Sequence, residues 1–254
     1  MTPGTFTPAP RAASAFRMVV AQAGMEFRLF VRNGEQLLLT VVIPTVVLAL
    51  FVSVHIVGVP ASRVGFLVPG VLALAVLSTS FTGLAIATGF ERRYGVLKLL
   101  GSTPLPRGAL LAGKTAAVLG VELLQTGGLV LVGLALGWHP HGSPVAVLEL
   151  LLAGTFAFSG LGLLLAGTLR AEATLAAANL GYLVLLAVGG IIVPTTSLPS
   201  GVRAAADWLP VTALSHGLRT VLLNGRAAPG HDLLTLLGWA IVAGGACAGT
   251  FRWE

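Results

Sequence analysis

Between Leu37 and Thr250 the chain alternates long apolar runs with short polar clusters, and that alternation limits the fold more than any other feature. A helix needs roughly 20 apolar residues to cross the hydrocarbon layer, where each backbone donor and acceptor must be satisfied inside the segment. Six runs are close to that length: Leu37 to Gly58, Gly65 to Phe90, Gly108 to Gly137, Val145 to Leu169, Thr174 to Val193 and Asp232 to Thr250. Only 9% of the residues are charged, against roughly 25% in a soluble domain. So few charges cannot clothe a water-facing surface. The expected fold is an all-α membrane protein forming one domain over residues 1–254, with a lead over 1–36 and a six-span bundle over 37–250. Pro44 predicts a kink in the first span.

The net charge of +6 would point to nucleic acid in a soluble protein. Here the basic residues sit at the ends of apolar runs, which the positive-inside rule explains, and no nucleic-acid partner is expected. Arg11, Arg17, Arg28, Arg32, Arg92, Arg93, Lys98, Arg107, Arg170 and Arg252 fall on one side, and Arg63, Arg203, Arg219 and Arg226 on the other. The bias predicts a multi-pass protein of the plasma membrane with both termini in the cytoplasm. The polar lead before the first run is too long for a cleaved signal peptide. The single cysteine, Cys247, excludes an intrachain disulfide and a cysteine-based metal cluster.

Met1 to Pro10 is rich in Thr and Pro and is expected to lack order. Arg11 to Gln36 has an amphipathic pattern, with Phe16, Val20, Ala23, Phe27 and Phe30 on one face. Such a helix can lie flat among headgroups or pack on its own domain. Its arginines and aromatics favour the headgroup zone.

Phe90 to Arg107 is a polar island between two spans. It carries Arg92, Arg93, Lys98 and Arg107, with Leu97, Leu99 and Leu100 interleaved at helical spacing, and Pro104 and Pro106 end it. The pattern predicts a short amphipathic helix on the cytoplasmic side. It is either a loop made basic by topology or a knob on which a partner presses.

Other candidate chemistry is thin. Gly108 to Thr115 matches the phosphate-loop pattern G-x-x-x-x-G-K-[ST]. The pattern needs a strand before it and a turn within it, and neither is expected here. Lys114 is expected to snorkel to the headgroups. His139 and His141 make a weak metal signal without a third ligand. Glu122 lies deep in the third span, where a carboxylate faces a cavity or a partner. A pair with Lys114 would span two turns. Ser78, Thr79, Ser80 and Thr82 in the second span either hydrogen-bond neighbouring helices or line a path. Ser78, Ser80, Thr82 and Glu122 are the candidate substrate-path residues.

The island and the late segment together resemble permease subunits of type-2 ABC exporters, in particular the daunorubicin-resistance group. The island reads Glu91-Arg92-Arg93-Tyr94-Gly95-Val96-Leu97-Lys98-Leu99-Leu100, followed by Thr103-Pro104-Leu105. The late segment has Pro194, Leu198-Pro199, Trp208-Leu209-Pro210 and Gly217-Leu218-Arg219. Lys98 departs from the pattern, since relatives often carry an acid there.

The resemblance implies a connecting helix at the N-terminus, a coupling helix after the second span and helices dipping back from the outer face before the last span. It implies no ATPase in this chain and no bound cofactor; ATP and Mg belong to a separate nucleotide-binding subunit. Glu91, Arg92, Arg93, Tyr94, Gly95, Leu97, Lys98 and Leu100 would contact that subunit. Two copies, or a copy and a related permease, would enclose a route for an amphiphilic drug, lipid or glycan, as in multidrug efflux. The alternative is an ion-coupled secondary transporter using Glu122, and a third possibility is a membrane enzyme or scaffold.

Overall fold

The computed structural model describes residues 13–53, 63–191 and 195–251. The Thr/Pro-rich start, His55, the loop ahead of Arg63, Pro194 and the tail from Arg252 lie outside them. The described elements are helices and turns, with no strand among them. In chain order they are α1 (Ala15–Arg32), α2 (Gly34–Ser53), α3 (Arg63–Val76), a π-helical segment (Leu77–Gly83), α4 (Leu84–Arg93), α5 (Val96–Gly101), α6 (Arg107–Ala135), α7 (Pro144–Thr168), α8 (Ala171–Val188), a 3-10 turn (Thr195–Ser197), α9 (Ser200–Ala206), α10 (Pro210–Leu222) and α11 (Gly230–Thr250).

The α3–π–α4 unit is one apolar rod, Val64–Arg93. With α6, α7, α8 and α11 it gives five helices long and apolar enough to cross a bilayer. The first expected span is α2, whose apolar stretch runs Thr40–Leu50 within the described residues.

Prolines set several helix starts. Pro144 and Pro210 open α7 and α10, where a missing N–H costs nothing. Ser143 also caps α7, its hydroxyl accepting from the Val145 amide at 3.3 Å. The expected mixed segment before the last span therefore folds into α9 and α10, with two of its prolines opening those helices rather than breaking them.

Pro44 sits inside α2 and removes the donor that would have met the carbonyl of Thr40. Gln125 of α6 replaces it, donating to Thr40 O at 2.7 Å. The same amide accepts from Thr79 Oγ1 of the π segment at 3.2 Å. One side chain thus joins three elements at the place where a backbone bond is missing.

α7 is the hub of the bundle, packed against α11, α4, the π segment and α10. Leu150, Ala157 and Phe158 are fully buried there. In lipid, such contacts are driven by close packing rather than by exclusion of water.

The lead helix ends at Arg32, short of the expected Gln36, because Asn33 leaves helical geometry before α2 begins. α1 packs along α6 rather than standing apart. A Cβ on Gly113 would lie 2.7 Å from Gln22 Cγ, so only glycine permits this approach. The expected apolar face is divided. Ala23, Phe27 and Phe30 turn partly inward, while Phe16 and Val20 are exposed, along with Met25 and Leu29.

Candidate functional site: the charged island and the cavity beside it

The island turns on Gly95, whose φ of 76° is the left-handed conformation that glycine adopts without penalty. Its amide donates to Arg92 O at 3.1 Å and closes α4. α5 follows at once and runs only from Val96 to Gly101. Leu97, expected to pack on a partner, is fully buried instead against Leu84, Leu110, Val118, Leu163, Cys247 and Phe251. Leu100 is half-buried against the same cluster. The exposed apolar surface is formed by Tyr94, 72% accessible, and Leu99, 69% accessible, with Val96 beside them. Lys98 is exposed on the same helix. Leu99 and Val96 were absent from the expected contact set because periodicity over six residues cannot tell the inner from the outer face.

The charged residues expected to meet a partner are engaged within the chain. Glu91 lies 2.6 Å from the Lys114 ammonium, and Glu26 of α1 lies 2.6 Å from its other side. Lys114 is 1% exposed, which corrects the expectation that it snorkels to the headgroups. It sits inside continuous helix α6, with no strand or loop around Gly108 to Thr115, so the phosphate-loop match is coincidental. Arg92 donates to the carbonyl of Leu169 just past α7, where the last carbonyls of a helix lack internal partners. Arg93 pairs with Glu172 in the first turn of α8, on the surface. The island is therefore fastened to α1, α6, α7 and α8. Glu26 and Glu172 were not among the expected site residues.

Beside the triad lies a cavity of about 580 Å³ bounded by α1, α2, the π segment, α4, α6 and Tyr182 of α8. Glu26, Glu91 and Lys114 form its charged end, and Ser78, Thr79 and Gln125 give it a polar strip. Among the expected path residues, Ser78 lines it. Ser80 is buried and donates to Val76 O at 2.5 Å. Thr82 is half-buried and does not line the cavity. Glu122 does not line the cavity, and it accepts from Thr155 Oγ1 of α7.

At the end opposite the island, Arg219 of α10 fastens three elements. It donates to Gly190 O and Ile191 O beyond α8, the latter at 2.6 Å, and to Phe66 O of α3 at 3.3 Å. Its guanidinium also lies 3.8 Å from the Phe66 ring centroid. Among the described residues no group of three His, Cys, Asp or Glu side chains is placed to hold a metal.

Residues 19–223 match the family model for the ABC-2 type transporter. The chain belongs to the ABC-2 transporter family. The match covers α1 from Val19 onward, the island and the late segment through α10. No curated protein matches the sequence. As a member of this family the chain is a multi-pass permease component, and the family implies pairing with an ATP-binding subunit. ABC-2 membrane components of this kind are generally not catalytic themselves.

Proposed function

We propose that this chain is the membrane half of an ATP-driven exporter, and that α5 receives the force. The carrying observation is the two-sided character of α5. Tyr94, Val96 and Leu99 face outward, while Leu97 is buried and Glu91, Arg92 and Arg93 are tied to α6, α7 and α8. A load on the exposed side is passed to several helices at once. In this reading α2 completes six spans, both termini are cytoplasmic, and the protein resides in the plasma membrane. Two copies, or a copy and a related permease, enclose the route of an amphiphilic cargo. ATP and Mg reside on the separate subunit, whose docking energy biases the permease between its states.

The test is copurification of an ATP-hydrolysing partner with the chain, followed by Leu99→Asp and Tyr94→Ala. Both variants are expected to insert normally and to lose the partner. Retention of the partner by both overturns the docking assignment. The ion-coupled alternative depends on Glu122 reaching the transported ion, and that carboxylate is enclosed between α6 and α7.

A further inference from the structure

The four described histidines, His139, His141, His216 and His231, all lie at the end opposite the island. Two of them meet a buried acid. Asp232, 8% exposed, sits in the first turn of α11, and its Oδ2 is 2.7 Å from Nδ1 of His216 on α10. Nδ1 of His231 is 3.7 Å from Oδ1 of the same carboxylate. These groups line a second cavity of about 580 Å³ with Phe66, Thr195, Thr196, Asp207, Thr212, Ser215 and Arg219. The Thr212 hydroxyl is buried there without a hydrogen-bond partner. The charged and titratable groups around His216 are Asp207 ahead of α10, Arg219 on α10, and His231 and Asp232 on α11. The cavity lining takes Phe66 from α3 and nothing from α7.

The geometry points to an acid-sensitive latch on the outer face, in which protonation of His216 clamps α10 to the start of the last span. Its placement on the outer face rests on the topology proposed above. Arg219 keeps its charge at any physiological pH, so it holds α10 to α3 and the end of α8 at all times. His216 adds a third attachment whose strength depends on pH. A neutral ring can still donate from Nδ1. A protonated one adds the attraction of opposite charges to that bond.

Asp232 raises the pKa of His216 above the ordinary 6.5 through this hydrogen bond, with burial acting in the opposite sense. The added stability is therefore complete below about 6.5 and is lost as pH rises through the raised value. Outer acid thus favours the arrangement seen here over any in which α10 leaves α11, and so slows a cycle that requires the outer end to move.

The test uses the purified chain in lipid nanodiscs, with no ATPase subunit present. Histidine-ring NMR is followed between about pH 5 and 8, the range over which histidine changes charge. Hydrogen exchange of α10 and the first turn of α11 is compared at the two ends of that range, after correction for intrinsic rates. The expected result is severalfold greater protection at the acid end, where the protonated ring adds an ion pair to the hydrogen bond. His216→Gln removes the difference and His231→Gln keeps most of it. Asp232→Asn returns the His216 titration to its ordinary position. His216→Gln replaces an exposed side chain and should fold even if Asp232→Asn does not. Equal protection at both pH values, or an unchanged pH response in His216→Gln, overturns the latch. In proteoliposomes with the partner subunit, the response should follow the pH of the compartment facing α10. A latch present in nanodiscs but answering to the island-side pH would leave the clamp standing and refute the topology instead.

Discussion

Removing the Lys114 ammonium should release α1 from the bundle. At 2.6 Å each carboxylate pair has a gross attraction of about 6 kcal/mol at an effective dielectric of about 20. Desolvation of the buried lysine offsets much of that. Breaking a buried pair from one side still costs about 3–5 kcal/mol, because a charge is left uncompensated. Glu26 and Glu91 are 20% and 25% exposed, so they retain some water, and the lower end applies. For Lys114→Met we expect about 3 kcal/mol of lost attachment, or about a hundredfold faster exchange of the α1 amides. Hydrogen exchange read by mass spectrometry measures this directly. Glu26→Gln should loosen α1 while leaving the α4–α6 tie, and Glu91→Gln should do the converse. The triple variant Lys114→Met, Glu26→Gln and Glu91→Gln should recover most of the protection, since no charge then remains buried. Unchanged α1 protection in Lys114→Met would refute the reasoning. Were Lys114 a phosphate ligand, nucleotide binding would change and α1 would not.

The two leucines of α5 should separate in their effects. Leu97→Ala is expected to cost about 2–5 kcal/mol of stability, seen as a lower unfolding temperature, while Leu99→Ala should stay within about 0.5 kcal/mol and weaken partner binding. Gly113→Leu should push Gln22 aside and detach α1, whereas Gly108→Leu, with open space around it, should be silent in the same exchange measurement. Arg219→Lys keeps the charge but loses the planar fork, leaving carbonyls of Gly190 and Ile191 without donors. It should cost about 1–3 kcal/mol and increase proteolysis between α8 and α10.

The spans were legible because a 20-residue apolar run has few physical outcomes, and α6, α7 and α11 begin and end within two residues of the expected positions. The island and its stop at Pro104 were legible for the same kind of reason, since proline and glycine act locally. The destinations of the charged side chains were not. Glu91 and Lys114 are separated by a turn and a helix, and Glu26 and Lys114 by 88 residues, a distance over which local periodicity carries no information. The π segment was also hidden, because its sequence is apolar and helical by any local measure.

What the residues determined alone was the helical, apolar character of the rods, since the requirement to satisfy backbone groups in lipid acts on each segment by itself. Which side of each rod meets a neighbour was decided only when α1 lay across Gly113 and α5 folded under Leu97. A polar atom in a membrane protein takes its partner from whatever helix packing brings within hydrogen-bond reach, and that choice belongs to the assembled bundle.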